Sequence, residues 1–467
     1  RMRRFADLEK VLREARGYVM VYSGNMEVGL MYRDLFKGDD AQYSRLLGFV
    51  KGRGPENDGG IVMWLHNALT GEGEVPQPVQ HRNCGIHHPC LDPDITLEEY
   101  RARLDPDRPT VGLLYPVNLW IYDNQAHIDA LITELEAQGM NVIPVFFTSS
   151  AASDPAKRGT ASVAEEFFTS DGRPTVDAVI MTTPFSQLNS SRDCSGLYTP
   201  DEQNFFHTML GVPVFQAMAS PVHFSDYEEI SAKGGTDGFK VSVIWAEVDG
   251  QIITVPVGSN EGGRGGPKRY SPIPDRISHL ARAVGGWVRL ARKSPSERRV
   301  ALLMYQSRPD SGRIGNAAGL DTVQSVRDIL ERLSADGYTV DHVPADQGEL
   351  VSEILDGITN DLEWSSSERV RDRAAGMMSV EEYRRHYDRI PQFDRSRMED
   401  SWGEPPGDVC VDGGRIVIPG LVNGNVYIGY QPMRSWADQM EAVYHDPVIP
   451  MPHQYLAFYR WLRDDFK

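Results

Sequence analysis

The strongest periodic signal lies in the middle of the chain. Residues 110–115, Thr110-Val111-Gly112-Leu113-Leu114-Tyr115, form a short apolar run, after which Ile128, Leu131, Ile132 and Leu135 recur at i, i+3, i+4 and i+7 and the pattern closes at Gly139. The order is strand, helix, glycine cap. Further short apolar runs at 142–147, 177–181 and 212–215 predict three more strands, and strands separated by helical stretches predict a parallel sheet with crossover helices. Residues 241–257 read instead as a hairpin turning at Asp249-Gly250, a dipeptide that tolerates positive φ.

The flanks carry weaker versions of the same plan. Upstream, residues 5–12 predict an amphipathic helix, 17–22 a buried strand, and 71–94, rich in Gly, Pro and His, a loop. Downstream, 300–305 predict a strand, and Leu320, Val323, Val326, Ile329, Leu330 and Leu333 line one face of a helix that ends at Gly337. Residues 338–343 read as a returning strand, 360–408 as a charged helical insertion, Asp412-Gly413-Gly414 as the turn of a hairpin, and 292–297 as a linker. The expected class is α/β, with consecutive parallel-sheet units of flavodoxin-like or Rossmann-like type, added hairpins and a helical insertion. At 467 residues the chain exceeds the roughly 250–300 residues one core supports. The expected division is 1–108 as part of an N-terminal α/β domain, 109–297 as an α/β domain with a hairpin, and 298–467 as an α/β domain with the helical insertion, cut short at its end.

Composition narrows the partners. An apolar fraction of 40% and a charged fraction of 24% are those of an ordinary globular protein. A formal net charge of −18 argues against a nucleic-acid or anionic membrane surface, and no run reaches the roughly 18–20 apolar residues of a bilayer span. Four cysteines, Cys84, Cys90, Cys194 and Cys410, are too sparse for a disulfide framework, so the expected compartment is the reducing cytoplasm.

In open parallel sheets ligands bind beyond the carboxyl ends of the strands. Those ends carry Ser149 and Ser150, then Thr182, Thr183 and Phe185, then Gln216 to Ser220: uncharged hydroxyl and amide groups that suit a large, partly apolar ligand bearing carboxylates and amides. The same hydroxyls also suit caps for the following helices. Between strand and helix further on lies Ser307-Arg308-Pro309-Asp310-Ser311-Gly312-Arg313-Ile314-Gly315-Asn316-Ala317-Ala318-Gly319, where Arg308, Arg313 and Asn316 could hold an anionic ligand. It is not a phosphate loop: G-x-x-x-x-G-K-[ST] is absent, which excludes ATP hydrolysis by this motif. Cys84-Gly85-Ile86-His87-His88-Pro89-Cys90 is the most metal-like cluster, with His87 and His88 as candidate ligands, although its spacing is not that of a zinc finger. Near the end, His445, Asp446 and His453 flank a Pro-rich stretch before a helix, placed either to move protons or to buttress that helix.

Two of these segments are recognisable. Gly312 through Thr322, and Tyr444-His445-Asp446-Pro447 through Pro452-His453-Gln454-Tyr455-Leu456-Ala457-Phe458-Tyr459, resemble signature stretches of the cobaltochelatase large subunit. The magnesium-chelatase H subunit is similar but differs at Gly319-Leu320-Asp321-Thr322 and at His445-Asp446. Pro109 to Gly112, Asp129 to Ile132, Ile252 to Pro256 and Trp402 to Gly407 also resemble that family, whereas Val117-Asn118-Leu119-Trp120-Ile121-Tyr122 departs from it. The resemblance implies an internal piece of a longer subunit that binds a tetrapyrrole while Co2+ is inserted into a corrin precursor such as hydrogenobyrinic acid a,c-diamide. It also implies that separate AAA+ subunits hydrolyse the ATP, and that the piece alone is inactive. His445, Asp446 and His453 are then the candidates for catalysis. The alternatives are a magnesium-chelatase type subunit handling Mg2+ and protoporphyrin, or a tetrapyrrole carrier.

Overall fold

The computed structural model describes residues 2–15, 17–21, 31–148, 160–183, 210–226, 242–244, 246–247, 250–262, 266–305, 315–317, 319–360, 365–434 and 448–466. The chain divides into two compact units, Arg1–Ala291 and Arg292–Lys467.

The first unit is built on a seven-stranded sheet. Its strands are β1 (Cys84–Ile86), β2 (Thr110–Pro116), β3 (Asn141–Phe147), β4 (Ala178–Met181), β5 (Val214–Ala219), β6 (Ile252–Asn260) and β7 (Tyr270–Pro272), in the order β1-β3-β2-β4-β5-β6-β7. From β3 to β6 every neighbouring pair is parallel, and the edges β1 and β7 are antiparallel. Taken in chain order, the parallel strands run second, first, third, fourth, fifth, which is the flavodoxin-like arrangement. The chain reverses direction across the sheet between β2 and β4.

Both faces of this sheet are covered, which is why its strands read as continuous apolar runs rather than alternating ones. On one face Val111, Leu113 and Tyr115 of β2 pack with Ile128, Leu131, Ile132 and Leu135 of α1 (Ala126–Ala137) and with Ile277, Leu280, Val284 and Val288 of α2 (Pro274–Arg292). On the other, Leu114, Val145, Phe147 and Met181 meet Val163, Phe167 and Phe168 of α3 (Thr160–Phe168). Gly112 is required here: a Cβ at that position would lie 2.6 Å from the Phe168 ring. Gly139, at φ 82, ends α1 as its pattern predicts. Within β6, Ile253 adopts φ 52 beside a register shift against β5, a left-handed conformation that is costly for a β-branched residue.

Among the described residues the second unit has a two-stranded pair, Asn316–Ala317 with Leu320–Asp321, and two three-stranded sheets. One sets β8 (Val300–Met304) parallel to β9 (Val426–Tyr430), with β10 (Leu421–Asn423) antiparallel beside it, under helices 322–335 and 347–356. The other joins Gly376–Met378, Val411–Asp412 and Arg415–Ile418 under helices from 380–402 and His453–Trp461. Asp412-Gly413-Gly414 does turn a hairpin, and the described part of 360–408 is helix-rich as expected, with helices at 367–373, 380–387 and 392–402 around the strand Gly376–Met378.

Four expectations need correction. Residues 241–257 form no hairpin; 242–244 and 246–247 are helical, β6 is parallel to β5, and the antiparallel turn comes later, between β6 and β7. Residues 338–343 are no strand, because the Asn423 side chain binds the amides of Asp341 and His342 and the carbonyl of His342 in place of a ladder. Residues 17–21 pair with no strand; Tyr18 packs its ring on Phe36 and Trp64. The loop 71–94 contains β1, whose three residues pair with β3. No helix among the described residues is long and apolar enough to cross a membrane.

Candidate functional site

The reversal between β2 and β4 opens a crevice at the carboxyl ends of the strands, where flavodoxin-like sheets place their ligands. A cavity of about 830 Å³ lies there. Pro116 at the end of β2, Thr182 and Thr183 beyond β4, and Ala219 at the end of β5 contribute to its lining. Asn118 and Leu119 enter from the short helix Val117–Ile121, His127 from the first turn of α1, Lys268 and Arg269 from the segment just before β7, and Tyr270 from the start of β7.

Its inner lining is polar but incompletely bonded. Thr182 and Thr183 are buried, and neither hydroxyl finds a hydrogen-bond partner among the described residues. The same holds for Nδ1 of His127, which is 1% exposed. Buried polar atoms are nearly always paired, so three unpaired ones on residues that line one cavity single out this region of the first unit. Burial pushes the His127 imidazole down to about 4, only partly opposed by the Asp129 carboxylate, so it is neutral at neutral pH. Its ring lies edge-on to Tyr270 at 5.3 Å and against the face of Gly258, where a Cβ would come within 3.0 Å.

An asparagine side chain grips the outer lip at two points. Asn124 donates from Nδ2 to the Lys268 carbonyl at 2.9 Å and accepts at Oδ1 from the Tyr270 amide at 2.8 Å, clamping the segment that carries Lys268 and Arg269.

Thr182 and Thr183 are thus brought together at the cavity. Ser149, Ser150, Phe185, Arg308, Arg313, His445 and Asp446 lie outside the described residues, and of Asn316 only the backbone, in a two-residue strand, is described. His87 and His88 are not brought to a common point: Nε2 of His87 meets Asp129 at 3.0 Å and Nε2 of His88 meets Glu136 at 3.1 Å, docking the loop on α1. His453 is a buttress in this structure. Its Nδ1 meets the Tyr383 hydroxyl and its Nε2 the Gly403 carbonyl, both at 2.9 Å, so a neutral ring donating to Gly403 and accepting from Tyr383 leaves neither nitrogen for a substrate. Burial lowers its pKa, in keeping with a neutral ring. In the second unit His342 sits between Glu349 and Glu353 at 3.4 and 3.3 Å, the one group among the described residues with three metal-type ligands close together, and it is largely exposed.

Sequence reasoning missed His127, Asn124, Lys268 and Arg269. The available signal was positional: Asn124 and His127 stand just ahead of the apolar stripe of α1, where a crossover helix begins over the strand ends.

The first unit is thus a flavodoxin-like α/β domain with a polar-lined cavity at its switch point. Residues 47–467 match the model of the CobN/Magnesium Chelatase family, and the chain belongs to that family. It is 30% identical to the aerobic cobaltochelatase subunit CobN of Pseudomonas aeruginosa over 91% of this chain and 33% of that protein. The chloroplastic magnesium-chelatase subunit ChlH of rice is 26% identical over 94% of the chain and 31% of its own length. The catalytic subunit of cobaltochelatase from Mycobacterium tuberculosis shares the fold at a TM-score of 0.65 and 24% identity, covering 92% of this chain and 34% of that one. The chain therefore spans about a third of the length of these relatives.

Proposed function

We propose that this chain is the ring-holding portion of a cobaltochelatase large subunit, and that the switch-point cavity receives the tetrapyrrole. The observation that carries this reading is the set of three buried, unpartnered polar atoms, Thr182 Oγ1, Thr183 Oγ1 and His127 Nδ1, around a cavity whose volume lies within the roughly 300–1,000 Å³ of small-molecule sites. Metallation removes two pyrrole protons and strips water from the ion, so the ring must be enclosed and hydrogen-bonded while its centre stays open to a base and to the metal. A neutral imidazole suits Co2+ better than Mg2+, and His127 is the one histidine among the described residues lining the cavity. The substrate on this reading is a corrin precursor such as hydrogenobyrinic acid a,c-diamide, metallated with Co2+ in the cytoplasm, with ATP hydrolysed by AAA+ partners.

The test is a titration of the ring into the protein, followed by quenching of tryptophan; Trp120 lies in the helix that lines the cavity. The corrin precursor should bind more tightly than protoporphyrin, and Thr182→Val/Thr183→Val should weaken it by about tenfold, the loss of two ordinary hydrogen bonds. Equal or tighter binding of protoporphyrin would favour a magnesium-type subunit. Unchanged affinity in the double variant would remove the cavity from the account.

A further inference from the structure

We infer that the lip formed by Lys268 and Arg269, clamped by Asn124, is a carboxylate subsite that selects rings bearing free acid side chains. The inference rests on the cavity being the ring site, and it adds which chemical feature of the ring is read there.

The protein as a whole repels such a ligand. Its formal net charge is −18, so an anionic ring meets an unfavourable field over most of the surface. At the cavity the balance reverses: the lining contains two cations, Lys268 and Arg269, and a single carboxylate, Asp123. Neither cation is engaged with an acidic side chain among the described residues, in contrast to Arg327 and Arg332, which bind Glu331 and Asp336. Both lip side chains are exposed at the mouth, whereas the hydroxyls of Thr182 and Thr183 and the His127 imidazole are buried.

That separation matches the layout of a tetrapyrrole, with acidic side chains on the periphery and nitrogens at the centre. An arginine offers a planar fork for one carboxylate and a lysine a compact charge for a second, so two acids on one edge of the ring would be held at once. The clamp matters because a charge on a loose turn gives little orientation. Asn124 uses both ends of its amide to fix the backbone on either side of Arg269, while Asn260 Oδ1 accepts from the Arg269 amide at 3.3 Å. The subsite is therefore pre-positioned before any ligand arrives.

The experiment compares deuteroporphyrin IX with its dimethyl ester, which keeps the macrocycle and removes both charges. Each is titrated into the 467-residue chain by tryptophan quenching at low salt in the same dilute detergent. The free acid should bind at least about tenfold more tightly than the ester, a ratio typical of charge-assisted hydrogen bonds, and the ratio should shrink as salt is raised. In Lys268→Gln/Arg269→Gln the preference should fall to within about threefold while ester affinity stays unchanged, and Asn124→Ala should fall between. An unchanged ratio in the double variant, or equal loss for acid and ester, would overturn the subsite. Leu119→Trp and Ala219→Phe, with melting temperatures checked, separate this from failure of the underlying reading, because each fills the cavity. If both fold and both still bind acid and ester normally, the ring lies elsewhere and the two ideas fall together. If they abolish binding while the lip variant changes nothing, only the subsite falls.

Discussion

Replacing Thr182 and Thr183 by valine should move stability and ring binding in opposite directions. Valine keeps the shape of threonine and removes the hydroxyl. At most buried sites that change destabilises, because a hydrogen bond is lost. Here both hydroxyls are buried without a partner among the described residues, so the free protein already bears their desolvation cost of about 1–3 kcal/mol each. Removing them should return part of that cost. Adjacent residues are not independent, so about 2 kcal/mol for the pair is a reasonable expectation. For a unit of this size that is a rise of about 3 °C in the melting temperature of the first unit. Ring affinity should fall in the same variant, by about tenfold. Differential scanning calorimetry without ligand and quenching titration with it read the two quantities on one sample. A melting temperature that drops would mean that the hydroxyls are satisfied within the protein and cap or tie the chain. The argument that they await a ligand would then be wrong.

Other perturbations follow from the same geometry. Gly112→Ala should destabilise the first unit by about 1–3 kcal/mol, measured by urea titration, and Phe168→Leu in the same chain should recover part of the loss by clearing the ring from the new methyl. Ile253→Gly should stabilise by about 1 kcal/mol, since the residue is at φ 52 with a partly exposed side chain; a fall in midpoint would show that its packing outweighs its backbone. His127 is held near 4 against an ordinary 6.5, so the unfolded chain takes up its proton first and stability is lost as the pH falls from about 6.5 toward 4. That loss approaches about 3 kcal/mol for full burial of the neutral ring, and His127→Gln should flatten this part of the stability profile.

The central sheet was legible because burial on both faces leaves a plain mark. Strands at 110–116 and 141–147 are apolar after their first residues, Thr110 and Asn141, and α1 shows a single stripe closed by glycine. Thr182 and Thr183 could be singled out for the same reason: once the strands are placed and known to be parallel, the residues just past their carboxyl ends are candidates. The β6–β7 hairpin was displaced because Asp249-Gly250 offers a local turn, while the true partner, Tyr270–Pro272, is short and contains a proline. The place of Asn124 ahead of α1 could be read, but its clamping role was invisible for a different reason. Its partners are 144 and 146 residues away, and no local pattern announces a side chain whose whole effect is on distant backbone. The sequence leaves His453 open to a chemical or a buttressing reading, and only the fold shows both its nitrogens bonded, to Tyr383 and Gly403.

The reach of the Asn124 clamp has a consequence for how the protein comes into being. Contacts between residues far apart in sequence carry a large loop-closure entropy and tend to form late in folding. Thr182 arrives with β4, Ala219 with β5, and Tyr270 only when the chain has returned past the whole sheet to meet Asn124. A nascent or half-refolded chain can therefore hold much of its helix and strand content and still have no closed crevice. If the crevice holds the ring as proposed, ring capture would report on the last step of folding, and a molecule that takes up its ligand would already have closed that crevice.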